Sequence, residues 1–206
     1  MGTWLCRIGH VPMSFLLFGC CGLAAAGTLE TDWLSDTWPG ERVRTIEVRN
    51  HPVRWRQAKR RDEGAFAGVR FHAPIARSDA WAASTDYPRV GRTLSPVTRV
   101  TVTEKGGGLR LVEVEGKILW RTVRLAFEVE QEPPDLLRFR LVKSRLGEYE
   151  GICLFEPAAG GGTTIELSTR VLPASAHVPL GMLLVFERMA MLQGVQGFLE
   201  ASTRHG

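Results

Sequence analysis

The sequence predicts an α+β fold, with an antiparallel sheet of about six to seven strands followed by one long helix. Three observations lead there. From Ser95 onward, apolar and polar residues alternate in short runs separated by Gly106-Gly107-Gly108, Pro133-Pro134-Asp135 and Gly160-Gly161-Gly162, the pattern of half-buried strands joined by turns. After Pro179 the period changes from two to a helical one that continues to about Thr203, about 24 residues and roughly 36 Å of helix. Between residues 74 and 94 lie a Pro74 stop, Trp81 and an Asp86-Tyr87-Pro88 turn, which suit two short helices after a first strand. With 206 residues, 44% of them hydrophobic and 23% charged, the chain can bury a single good core.

Residues 1–26 read as an export signal. Arg7 is the one charge before an apolar stretch over residues 11–23, and Ala24-Ala25-Ala26 is a small-residue cleavage site before Gly27. Leu17-Phe18-Gly19-Cys20 also resembles a bacterial lipobox, which would leave a lipoprotein anchored through Cys20. Either way the protein is expected to be exported, periplasmic or secreted. Cleavage after Ala26 removes Cys6, Cys20 and Cys21, leaves Cys153 alone, and rules out an internal disulfide.

Residues 27–64 form an approach segment with at most one or two strands, since Val43, Ile46 and Val48 alternate only in part before His51-Pro52. The densest cationic run follows: Arg54, Arg56, Lys59, Arg60 and Arg61. It reads either as a contact for anionic lipid headgroups or as a solvated loop or hairpin. The domain proper is expected over residues 65–206, opening on a strand in which Val69, Phe71 and Ala73 alternate with Arg70 and His72. Asp86 suits the cap of the second short helix.

The remaining strands are expected at residues 97–102, 109–114, 117–129, 136–142, 149–155 and 163–171. Val123, Leu125, Phe127 and Val129 share one face of the long third strand of this series, and Leu137, Phe139 and Leu141 share one face of the next. Tyr149, Gly151, Cys153 and Phe155, with Ile165, Leu167, Thr169 and Val171, continue that apolar face. The strand at 109–114 is ambiguous, because Leu109 and Leu111 oppose Val112 and Val114. On the helix, Leu184, Met191, Val195 and Phe198 lie close to one stripe, and Met182, Val185, Met189 and Leu192 broaden it. Gly181, Gly194 and Gly197 point to close approach or a kink.

Two segments, APIARSDAWAASTDYPRV at 73–90 and GEYEGICLFEPAAGGGTTIELSTRVLP at 147–173, resemble the START-like superfamily, closest to its polyketide cyclase/dehydrase and coenzyme Q-binding branch. The resemblance covers about residues 65–203. It implies a helix-grip fold, in which a curved antiparallel sheet wraps around the C-terminal helix and leaves an apolar cavity between them. The residues expected to line that cavity are Trp81; Val123, Leu125 and Phe127; Phe139 and Leu141; Tyr149, Cys153 and Phe155; Ile165, Leu167 and Thr169; and Met182, Val185 and Met189.

Chemistry-bearing motifs are missing from the sequence. It has no Gly-x-Ser-x-Gly elbow, no His-Glu-x-x-His, no paired Cys or His at metal-ligand spacing and no dinucleotide fingerprint. Neither catalytic residues, a metal nor a cofactor are therefore expected. His51, His72 and His177 are scattered, and Cys153 reads as a small buried hydrophobe. A net charge of +4 without a basic stripe argues against nucleic acid. The functional expectation is a non-enzymatic carrier for a lipid, isoprenoid or quinone-like molecule, oriented in its cavity by Tyr149, Thr169 or Cys153. The alternatives are an aromatase/cyclase-type enzyme, which would need polar or titratable groups converging in the cavity, and an envelope interaction module with no ligand.

Overall fold

A computed structural model describes residues 38, 40–60, 64–95, 97–118, 121–143, 147–173 and 180–202. The expected export signal, with Cys20, lies outside the described residues. Nine strands form one antiparallel sheet: β1 (Arg42–Val48), β2 (His51–Arg60), β3 (Gly64–Ala73), β4 (Val97–Gly106), β5 (Leu109–Ile118), β6 (Arg121–Glu132), β7 (Leu136–Lys143), β8 (Gly147–Pro157) and β9 (Thr163–Pro173). Two short helices, α1 (Arg77–Thr85) and α2 (Tyr87–Thr93), carry the chain from β3 to β4, and α3 (Leu180–Ser202) ends it. The sheet order is β1-β2-β3-β9-β8-β7-β6-β5-β4. The last strand therefore returns to the middle of the sheet beside β3, and α3 then packs on β3. This is the helix-grip arrangement.

The sheet is larger than the sequence suggested, nine strands against six or seven. Both additions come from residues 42–60, where β1 and β2 pair continuously and β2 pairs onward to β3. The cationic run is thus a hairpin strand through Arg60 and not a loop. One long strand expected at 117–129 is divided: β5 continues to Ile118 and β6 starts at Arg121, with those two residues paired. The ambiguity at 109–114 is settled by register. Val112 pairs with Phe127 and Val114 with Leu125, so the valines take the inner face.

Alternation gives the sheet two different faces. The inner one carries the main core, in which Val53, Trp55, Val69 and Phe71 meet Leu184, Met191, Val195 and Leu199 of α3. Phe198 stacks edge-on against Phe71 at 5.7 Å. Asp86 caps α2 as expected, its carboxylate accepting from the Arg89 N–H at 3.1 Å. At Gly197 a Cβ would lie 2.5 Å from Thr93 Cβ, so glycine there lets α3 close on α2 and fixes one end of the gap between helix and sheet.

On the outer face Trp38, Ala58 and Phe66 form a second apolar cluster, and Arg56 lies across it, its guanidinium 4.4 Å from the Trp38 ring centroid. Arg56 also donates to Glu41 at 2.5 Å and to Glu166 at 3.3 Å. Its residue exposure is 7%, which corrects the expectation that Arg56 belongs to a lipid-contacting run, since a buried, paired guanidinium cannot reach a headgroup. Of its companions, Arg54 and Lys59 are exposed and on opposite faces of β2. The side chains of Arg60 and Arg61 lie outside the described residues.

Candidate ligand cavity

Where α3 leaves the sheet, over β9 to β5, the gap is not filled. It is a cavity of about 360 Å³ bounded by α1, α2 and α3 above and by β3 and β5 to β9 below. That volume is at the small end of the range for ligand pockets. Its sheet wall is formed by inward residues at alternate positions, among them Val112, Phe127, Val129, Leu137, Phe139, Tyr149, Cys153, Ile165 and Leu167. Its helical wall comes from Tyr87 and Val90 of α2, from Leu94 just after it, and from Glu187, Met191, Gly194 and Phe198 of α3.

Three aromatic rings give the wall its shape. Phe127 meets Phe139 at 6.4 Å and Tyr149 at 6.1 Å, both edge to face, and Phe139 meets Tyr149 at 5.9 Å. The Phe139 ring lies over Gly151, where a Cβ would be 2.2 Å from its Cζ. Glycine on β8 thereby makes a seat for an aromatic ring on β7, its pairing partner.

Ser84, Arg89 and Thr93 are the polar lining residues at the α1–α2 side, and between the sheet and α3 a polar node interrupts the apolar lining. Thr169 donates to Glu187 Oε2 at 3.1 Å and Tyr149 donates to the same oxygen at 3.3 Å. Glu187 Oε1 has no hydrogen-bond partner among the described residues. Burial pushes the Glu187 carboxyl up to about 7, against which the hydrogen bonds from Thr169 and Tyr149 pull only partly. Burial and then the neighbouring Glu187 raise the Tyr149 phenol well above its ordinary value. Burial also pushes the Cys153 thiol up to about 12, so in the native state it should react with a maleimide at least about a hundredfold more slowly than in denaturant. Equal labelling rates in the two states would contradict that placement.

Glu187 makes stability depend on pH. In the unfolded chain it ionises from about pH 4.5 and in the folded chain only from about pH 7. The contribution of Glu187 to stability is therefore full below about 4.5, falls between the two values by on the order of 3 kcal/mol, and levels off above 7. Glu187→Gln, neutral throughout, should flatten that limb of a calorimetric Tm-against-pH curve. An unchanged curve would show that the limb has another origin.

The structure divides the expected site residues. Phe127, Phe139, Tyr149, Cys153, Ile165 and Leu167 line the cavity, and Thr169 is fully buried behind it, reaching it through Glu187. Trp81 and Phe155 instead pack on each other edge to face, 5.5 Å apart, under α1. Val123, Leu125 and Leu141 are half-buried but outside the cavity: β7 pairs with β6 only from Ala126 onward, so the first two lie beyond the sheet's overlap, where Leu125 borders a separate groove. Val185 and Met189 require correction. At 57% and 54% exposure they face solvent, because the inward stripe runs through Leu184, Glu187, Met191, Val195 and Phe198, and residues 185 and 189 are turned away from it at 100° per residue. The Met182 side chain lies outside the described residues. Glu187 was the residue missed. Three positions after Leu184 and four before Met191, it sits on the same helical face, a position that its charge conceals.

A sequence model of the family described as "Polyketide cyclase / dehydrase and lipid transport" matches residues 67–204. The chain belongs to that family. Members of the wider fold among solved structures include a STAR-related lipid transfer protein from Xanthomonas axonopodis, with a TM-score of 0.61 and 9% identity over 80% of this chain and 99% of that one. An aromatase/cyclase from Streptomyces superposes with a TM-score of 0.59 and 13% identity over 68% of this chain and 93% of that one. No curated protein matches the sequence. At these identities the structural likenesses establish the fold. Family and fold together point to hydrophobic-ligand binding or polyketide cyclisation.

Proposed function

We propose that the protein is an exported, non-enzymatic carrier for a hydrophobic small molecule of the lipid, isoprenoid or quinone kind, held between the sheet and α3. The observation that carries this reading is the cavity's makeup: largely apolar walls on six strands and a hydrogen-bonding node at Glu187, Tyr149 and Thr169. Such a lining buries most of a ligand's surface and leaves one polar end to be oriented. Glu187 Oε1 is the group that can take that end, accepting from a hydroxyl when ionised and donating to a carbonyl when protonated. Native mass spectrometry of the protein recovered from its own host should show a bound molecule of this class. Recovery with no bound molecule, and no uptake of a quinone or isoprenoid alcohol added afterwards, would refute it.

A second reading, an aromatase/cyclase-type enzyme, is favoured by one observation. Glu187 titrates near neutrality, as a general base for enolisation should, and it touches the cavity's phenol. Acid–base cyclisation also needs a proton donor placed across the substrate, and Tyr149 shares the oxygen of Glu187 instead of facing it. The two readings part on Glu187→Gln: a carrier changes affinity for its ligand, whereas an enzyme loses turnover of a poly-β-ketone with its affinity retained.

A further inference from the structure

Cations are distributed unevenly over this protein. On the outer sheet face most arginines have acidic partners on strands one or two away: Arg70 with Glu156 and Glu166, Arg140 with Glu128, Arg170 with Glu150. Beside the first half of α3 the situation is reversed. Arg42, Arg44, Lys59 and Arg188 are all exposed, and none has an acidic partner among the described residues.

Register brings Arg42, Arg44 and Lys59 together, and α3 runs beside them with Arg188. Ile46 and Val48 pack into the main core, so Arg42 and Arg44, at even spacing before them, share the inner face of β1. Val53 and Trp55 place Lys59 on the same face of β2, and its Nζ lies 2.9 Å from the position a Gly181 Cβ would take. Arg42 pairs with Gln57 and Arg44 with Trp55. The helix runs from Gly181 beside Lys59 to Glu200, which accepts from Arg49 at the β1–β2 turn. Its first half therefore passes along these cations, on the flank turned away from the cavity. That flank displays Val185 and Met189, one helical turn apart and more than half exposed, with Arg188 between them. Among the described residues the nearby acids point elsewhere: Glu187 into the cavity, Glu47 to the outer face of β1, and Glu200 to Arg49.

We propose that this face, Val185 and Met189 flanked by Arg42, Arg44, Lys59 and Arg188, docks the protein on an anionic lipid surface. Each basic side chain near such a surface is attracted to it. Two aliphatic side chains between them can enter the headgroup–acyl boundary, which an acidic protein or nucleic acid would not require. Among the described members of the cationic run read from the sequence, Lys59 belongs to this face. Docking here lays α3, the helical wall of the cavity, along the membrane, and it stands independently of what the cavity holds.

Flotation of the full chain with vesicles of phosphatidylglycerol and phosphatidylcholine in equal parts, against phosphatidylcholine alone, tests the proposal. The apolar residues 11–23 are common to all variants, so the readout is the difference between variants and between vesicles. The anionic vesicles should take up more protein, and less as salt is raised. Arg42→Ala and Arg44→Ala should each lower partitioning by about fivefold. Val185→Asp with Met189→Asp should lower it at least as far, while Arg99→Glu on distant β4 should leave it unchanged. Melting curves should overlay the wild type, since all these positions are exposed. Uptake that ignores vesicle charge, or that the aspartates leave intact while the arginine variants lose it, overturns the proposal; the latter pattern marks an acidic macromolecule instead.

Discussion

Arg56→Ala should destabilise the fold by about 3 kcal/mol, lowering the Tm by about 10 °C in a chain of this size. The Arg56 and Glu41 side chains are 8% and 11% exposed, and their ion pair sits over the Trp38 and Phe66 rings. Removing the guanidinium leaves Glu41 and Glu166 without their shared cation and removes the cover of the outer apolar cluster. Burial opposes the charge on both partners, yet their mutual attraction wins, holding Glu41 below and Arg56 above their ordinary values. Arg56→Lys should recover only part of the loss, because an ammonium supplies the charge but neither the planar stack on Trp38 nor the fork between two carboxylates. Calorimetry on the three proteins decides it. A loss for Arg56→Ala within the range of an exposed pair, below about 1 kcal/mol, would mean that the network is effectively solvated.

That same arginine shows where a sequence stops being informative. Alternation is a local property, and it correctly placed Phe127, Phe139, Tyr149, Cys153, Ile165 and Leu167 on one wall because each strand's faces are fixed by neighbours two residues away. The stripe of Leu184, Met191 and Val195 was legible for the same reason. Arg56 was not. Its partners are Glu41, fifteen residues before it, and Glu166, 110 residues after it, and nothing in RWRQAKRR distinguishes the buried cation from the exposed ones except that Trp55 and Arg56 must face opposite ways. Cavity depth was equally hidden. Trp81 and Phe155 have the composition of cavity residues but satisfy each other, and Val123 and Leu125 continue the inward parity past the point where β7 overlaps β6. Glu187 breaks the rule that a charge marks a solvent face, and only its phase on the helix could have drawn attention to it.

Leu167→Trp should reduce uptake of a fluorescent quinone or lipid probe at least about tenfold while moving the Tm by no more than a few degrees, because its added bulk has a space to occupy. Leu167 stands on β9 between Val69 of β3 and Cys153 of β8, in the sheet wall opposite Glu187 and Met191, and it borders the cavity of about 360 Å³. A larger side chain there extends into the volume a guest would take. In a close-packed core the same enlargement costs about 1–3 kcal/mol through off-rotamer side chains and backbone shifts. Ala80→Leu supplies that contrast, since Ala80 is fully buried on the inner face of α1 and is not among the cavity's lining residues; it should lower the Tm and leave the affinity of the surviving folded protein unchanged. The pair of variants separates filling a space from straining a core. If Leu167→Trp unfolds the protein and the wild type takes up no probe, the gap between sheet and helix is closed in solution, and the interaction module replaces the carrier.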